Sequence, residues 1–114
     1  MNDLALTEFE QLVLLALMRQ GPGKPGSPGN SDAYGVSICA EIADRTRRDV
    51  SLGAIYKALD RLEDRGFVTS RMGEPTPERG GRRKKHYRIA ALGQRAVKQS
   101  LDTLRRMTEG LEVG

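Results

Sequence analysis

Val50-Ser51-Leu52-Gly53-Ala54-Ile55-Tyr56-Lys57-Ala58-Leu59-Asp60-Arg61-Leu62-Glu63-Asp64-Arg65-Gly66 is the stretch that decides the fold. Ser51 suits a helix N-cap, because its hydroxyl can accept an amide proton that the first turn leaves unpaired. Leu52, Ile55, Leu59 and Leu62 then repeat at helical spacing and mark a buried face. Gly66 fits the C′ position, where the chain turns through a left-handed conformation. Gly53, Ala54, Lys57 and Arg61 lie away from the apolar face. Two small residues let the start of the helix approach a groove wall, and two long cations reach bases or phosphates. Asp60, Glu63 and Asp64 crowd the other end, where they would repel phosphate, so the helix is polarised to enter a groove N-terminus first. Tyr56 sits at the edge of the buried stripe, with a hydroxyl for a phosphate or a ring for the rim of the core.

Upstream, Arg45 to Asp49 form a polar turn, and a helix is predicted from about Tyr34-Gly35 to Thr46 with Ile38, Cys39, Ile42 and Ala43 as its inner stripe. Residues 21–32, GPGKPGSPGNSD, hold three Pro and four Gly and read as a flexible connector. Before it, Thr7-Glu8-Phe9-Glu10 has the form of a capping box and starts a helix that ends at Arg19 or Gln20. That helix is apolar nearly all round: Phe9, Leu12, Val13 and Ala16 on one side, Leu14, Leu15, Leu17 and Met18 on the others. A helix without a wet face must pack on two things. A second copy of the chain is the expected partner, with Leu14 and Leu17 at the contact.

Downstream, Phe67 to Arg71 and Lys85 to Ile89 read as two strands, the second with Tyr87 and Ile89 inward. Between them, residues 73–84 are rich in turn formers and cations. Arg79, Arg82, Arg83, Lys84 and Lys85 fall within seven residues, and Gly80-Gly81 lets the backbone come close to a sugar–phosphate edge. A last helix is predicted over roughly Ala91 to Gly110. Val97, Leu101 and Leu104 form a heptad-like seam for dimerisation, interrupted by Thr108 before Leu111. The fold class is therefore mainly α with a small β-hairpin: a winged helix-turn-helix over residues 1–90, with residues 73–85 as a basic wing, followed by a dimerisation helix and tail over 91–114.

Charge agrees with that layout. Residues 1–64 balance to −3 and residues 65–106 to +9, within a net +4 for 114 residues. A basic half joined to a mildly acidic one presents one face to a polyanion. The sequence also resembles the PadR-like transcriptional regulators at Leu6-Thr7-Glu8-Phe9-Glu10, Ala33-Tyr34-Gly35-Val36, Val50 to Leu62, Gly73 to Lys84 and Tyr87-Arg88-Ile89. The single C-terminal helix is similar to the short branch of that family; the connector is longer than the family pattern. The resemblance implies a dimeric DNA-binding protein, usually a repressor, released by a small-molecule effector or another signal. It also favours a phosphate contact for Tyr56.

The expected DNA-binding residues are Ser51, Gly53, Ala54, Tyr56, Lys57, Arg61, Arg79, Gly80, Gly81, Arg82, Arg83, Lys84 and Lys85. The partners are double-stranded DNA and a second copy of the chain, with an operator that is an inverted repeat. Ligand residues for an effector are not assigned. No cofactor, metal or catalytic group is expected: His86 is the sole histidine and is read as exposed, Cys39 as a core thiol, and no metal-binding spacing is present. With one cysteine, no disulfide framework and no apolar run beyond Leu12 to Met18, the reading is a soluble cytoplasmic protein. Two competitors share the features: an RNA-binding protein, disfavoured by scarce aromatics, and a winged-helix interaction module, disfavoured by the cationic wing.

Overall fold

The computed structural model describes residues 4–20, 33–72 and 85–112. Element order is α1 (Glu8–Arg19), β1 (Ala33–Tyr34), α2 (Gly35–Thr46), α3 (Leu52–Asp64), β2 (Val68–Met72), β3 (Lys85–Ile89) and α4 (Ala91–Thr108). The strands form one antiparallel sheet in the order β1-β3-β2, with Val68 opposite Ile89, Ser70 opposite Tyr87 and Met72 opposite Lys85. This is the winged helix-turn-helix that the sequence predicts.

Local chemistry explains the element ends. Thr7 and Glu10 close the capping box: the Glu10 amide donates to the Thr7 hydroxyl at 3.1 Å, and the Thr7 amide to Glu10 Oε1 at 2.9 Å. The Ala54 amide donates to the Ser51 hydroxyl at 3.1 Å, so α3 is capped as expected. Gly66 has φ +80°, a conformation that side chains disfavour, and it turns the chain from α3 into the sheet. The start of α4 lies hard against that turn. A Cβ on Gly93 would stand 2.2 Å from the Phe67 carbonyl oxygen, which also accepts the Ala90 amide at 2.9 Å.

The core joins Val13, Leu14 and Leu17 of α1 with Ile38 and Ile42 of α2, Ile55, Ala58, Leu59 and Leu62 of α3, Phe67, Val68, Tyr87, and Ala96 and Val97 of α4. Three expectations change here. Leu14 and Leu17, assigned to a partner copy, are buried in the chain's own core, because α1 is covered by α2, α3, α4 and β3. Val97 is likewise a core residue; Leu101 and Leu104 are the apolar members of the expected seam on α4 that remain exposed. Leu52, expected on the buried face, is exposed at the first turn of α3, while Ala58 fills that face instead. Two side chains are less extreme than expected. Cys39 is half-buried, its thiol donating to the Val50 carbonyl at 3.2 Å, and His86 is half-buried on β3.

Candidate nucleic-acid interface

α3 presents its first half outward. Gly53 is exposed, and a Cβ there would meet no atom within 4 Å, so the glycine leaves open space on the outer surface. Ser51 and Lys57 are exposed, Ala54 is half-buried, and no described side chain pairs with Lys57. Tyr56 leans to one flank. Its ring covers the first residue of α2, where a Cβ on Gly35 would lie 2.6 Å from the phenol oxygen. The residue is still 38% exposed at the junction of the two helices. The ring is therefore seated at the rim, as one of the two readings of Tyr56 expected.

The second half of α3 is fastened. Arg61 Nε lies 3.5 Å from Glu10 Oε2, and Arg65 Nη1 lies 3.7 Å from Glu10 Oε1. Arg65 also donates to the Ala5 carbonyl at 2.8 Å and stacks over the Phe67 ring. Across the helix, Glu63 accepts a hydrogen bond from the Ser70 hydroxyl of β2 and pairs with Lys85 of β3 at 3.6 Å. Lys85 Nζ is also 5.6 Å from the centre of the Tyr87 ring. Of the expected DNA-binding cations, Arg61 and Lys85 therefore have carboxylates of their own chain beside them, and Lys57 has none among the described residues. The turn before α3 is pinned too. Arg48 makes a two-pronged contact with Glu8 at 2.9 and 3.0 Å, and that hydrogen bonding holds the Glu8 carboxyl below its ordinary pKa.

The sheet adds a surface that sequence reasoning did not assign. Thr69 faces Arg88 and Arg71 faces His86 across the β2–β3 pair, and together with Ser70 they line a shallow depression of about 210 Å³. The signal was present in the alternation itself, since Tyr87 and Ile89 inward puts His86 and Arg88 outward. Arg79, Gly80, Gly81, Arg82, Arg83 and Lys84 lie outside the described residues. Among those that are described, no cluster of His, Cys, Asp and Glu could hold a metal ion, and no helix is long and apolar enough to cross a membrane.

Known proteins match this architecture. The model of the transcriptional regulator PadR-like family matches residues 29–99. Among solved structures, a transcriptional regulator from Clostridium thermocellum superposes with a TM-score of 0.66 at 25% identity, covering 88% of this chain and 85% of that one. A PadR family regulator from Eggerthella lenta gives 0.63 at 23% identity, covering 90% and 81%. A PadR family regulator from Clostridium difficile gives 0.64 at 21%, covering 90% and 95%. No curated protein sequence matches. A family match over more than half the chain, on a winged helix-turn-helix, places this protein among DNA-binding regulators and not among enzymes: it belongs to the PadR-like family of transcriptional regulators.

Proposed function

We propose that the protein is a repressor that occupies an inverted-repeat operator in double-stranded DNA as a homodimer. The observation that carries the dimer is the outer half of α4. Leu101, Leu104 and Met107 are 49%, 53% and 72% exposed, an apolar stripe on a helix flanked by Lys98, Arg105 and Arg106, and Leu111, just past the helix end, is 64% exposed. Such a stripe is costly in water and is relieved when a second copy covers it. A two-fold pair then carries two copies of α3, and symmetry obliges them to read inverted copies of one half-site.

On each half-site, Ser51, Gly53, Ala54 and Lys57 would enter the major groove, with the Tyr56 hydroxyl on a flanking phosphate; Arg61, expected among the DNA-binding residues, is left out of this contact set because it pairs with the buried Glu10. Arg79, Gly80, Gly81, Arg82, Arg83, Lys84 and Lys85 would follow the neighbouring backbone as the wing. One short helix offers few base contacts, so a single half-site binds weakly and the joined pair gains through effective concentration. The test is a footprint on fragments selected from genomic DNA. We expect an inverted repeat with half-sites about one turn, roughly 10 base pairs, apart. Inserting half a turn, roughly five base pairs, should nearly abolish binding by rotating the halves to opposite faces. Equal binding to the natural and expanded sites would overturn the two-fold, major-groove reading.

A further inference from the structure

Glu10 is the one charged residue buried among those described, at 4% exposure. Its capping role does not account for its charge. A capping box works with glutamine as well as glutamate, since what the amide needs is an acceptor oxygen. Burying a full carboxylate is costly unless cations stand beside it, and here two do, Arg61 of α3 and Arg65, the residue at its C-cap. Arg65 has further anchors in the Ala5 carbonyl and the Phe67 ring. Arg61 has no other partner among the described residues, and its side chain is 55% exposed, with Glu10 on its inner side and solvent beyond.

Arg61 follows Lys57 by one helical turn. Without Glu10 it would be a second long cation on the reading helix, free to swing to any phosphate, and phosphate contacts raise affinity for every sequence alike. We propose that Glu10 is a specificity-determining residue: it withholds Arg61 from DNA phosphates, so that α3 engages DNA through its first half. With Arg61 held, the exposed Asp60 and Asp64 dominate the far end of α3 and discourage close approach there.

This inference rests on the reading of α3 as the recognition helix, and the experiment separates the two. Duplex binding is measured at a series of salt concentrations, on the selected operator and on random DNA, for the wild type, Glu10→Gln, Arg61→Gln, the double variant and Lys57→Ala. Glutamine keeps the cap and removes the charge. Glu10→Gln should bind random DNA more tightly and make the slope of log K against log salt steeper by about 0.9, the value of one added phosphate contact. Its preference for operator over random DNA should fall. The double variant should return to the wild-type slope, and Arg61→Gln alone should leave slope and preference unchanged. An unchanged slope in folded Glu10→Gln overturns the proposal. A slope shallower by about 0.9 in Arg61→Gln does so too, because Arg61 would then already contact phosphate; that variant keeps Arg65 beside Glu10, and its circular dichroism spectrum shows whether it is folded, so it gives a second decision if Glu10→Gln is unstable. If Lys57→Ala leaves base preference untouched, the recognition-helix reading itself has failed.

Discussion

The two halves of α3 are thirteen residues of one helix under opposite constraints. The first half is capped by Ser51 and then left alone: Gly53 faces open space, and Lys57 has no described partner. The second half is tied on both sides, through Arg61 and Arg65 to Glu10 of α1 and through Glu63 to Ser70 and Lys85 of the sheet. A reading element has to present unsatisfied polar groups, yet it must not change its angle when it meets the groove. Placing the ties at one end and the free groups at the other meets both needs within a single helix. The same division separates what should unfold the protein from what should only weaken its hold on DNA.

The largest effect should come from the fastened half. Leu62 is wholly buried beneath it, in contact with the core that α1, α2 and the sheet share. Leu62→Ala should cost about 2–5 kcal/mol, through lost burial and the cavity left behind. In a domain this small that is a large part of the total stability. Urea unfolding followed by circular dichroism should show a midpoint well below wild type, and DNA binding should fall with it. A stable Leu62→Ala protein that has lost DNA binding would break the division, since the anchor would then be acting on recognition directly.

That division was half legible in the sequence. Ser51, the apolar spacing of Ile55, Leu59 and Leu62, and Gly66 are local signals, and each acts as read. The ties are not local. Glu10 is some fifty residues from Arg61, and within its own segment it announces only a cap. Nor does periodicity say what covers an apolar helix. It showed that α1 must be buried on several sides, but the cover for Leu14 and Leu17 is the chain's own α2, α3, α4 and β3. Strand β1 is not legible in the sequence for a different reason. Two residues, Ala33 and Tyr34, are too few to show alternation, and they are fixed by pairing with Tyr87 and His86 far along the chain. Leu52 fits the stripe by spacing and is exposed by position, because the first turn of α3 projects past the core.

A smaller effect should appear in strong alkali, where the tied end of α3 meets the sheet. Burial pushes the Tyr87 phenol up to about 12 from an ordinary 10, and the carboxylates of Asp60 and Glu63 add to the shift. The folded chain therefore holds this proton more tightly than the unfolded one. The stabilisation is fully present below pH 10 and is lost as pH rises towards 12, because the unfolded state gives up the proton first. Tyr87→Phe should flatten that part of the curve of unfolding free energy against pH. An unaltered slope between pH 10 and 12 in the variant would show that Tyr87 is not the group responsible.

The smallest effect on stability, and the most selective, belongs to Gly35. A methyl group there would collide with the far end of the Tyr56 ring and not with backbone, and Tyr56 can swing outward because it is already partly exposed. Gly35→Ala should therefore leave the melting temperature unchanged or slightly raised, since alanine also restricts the unfolded chain. What it should change is where the phenol stands. If the hydroxyl meets a DNA phosphate from its seat on α2, evicting the ring costs one hydrogen bond, about 1 kcal/mol or on the order of fivefold in affinity. The loss should be similar on the operator and on random DNA, because a phosphate carries no sequence. Tyr56→Phe is the matching variant: it keeps the ring on Gly35 and removes only the oxygen, and its loss should equal that of Gly35→Ala. If Gly35→Ala binds DNA as well as the wild type, the seat has no part in recognition. If it loses far more than Tyr56→Phe, the methyl group has shifted α2 against α3, and the free end of the reading helix is held less independently of its neighbours than the contrast between its halves requires.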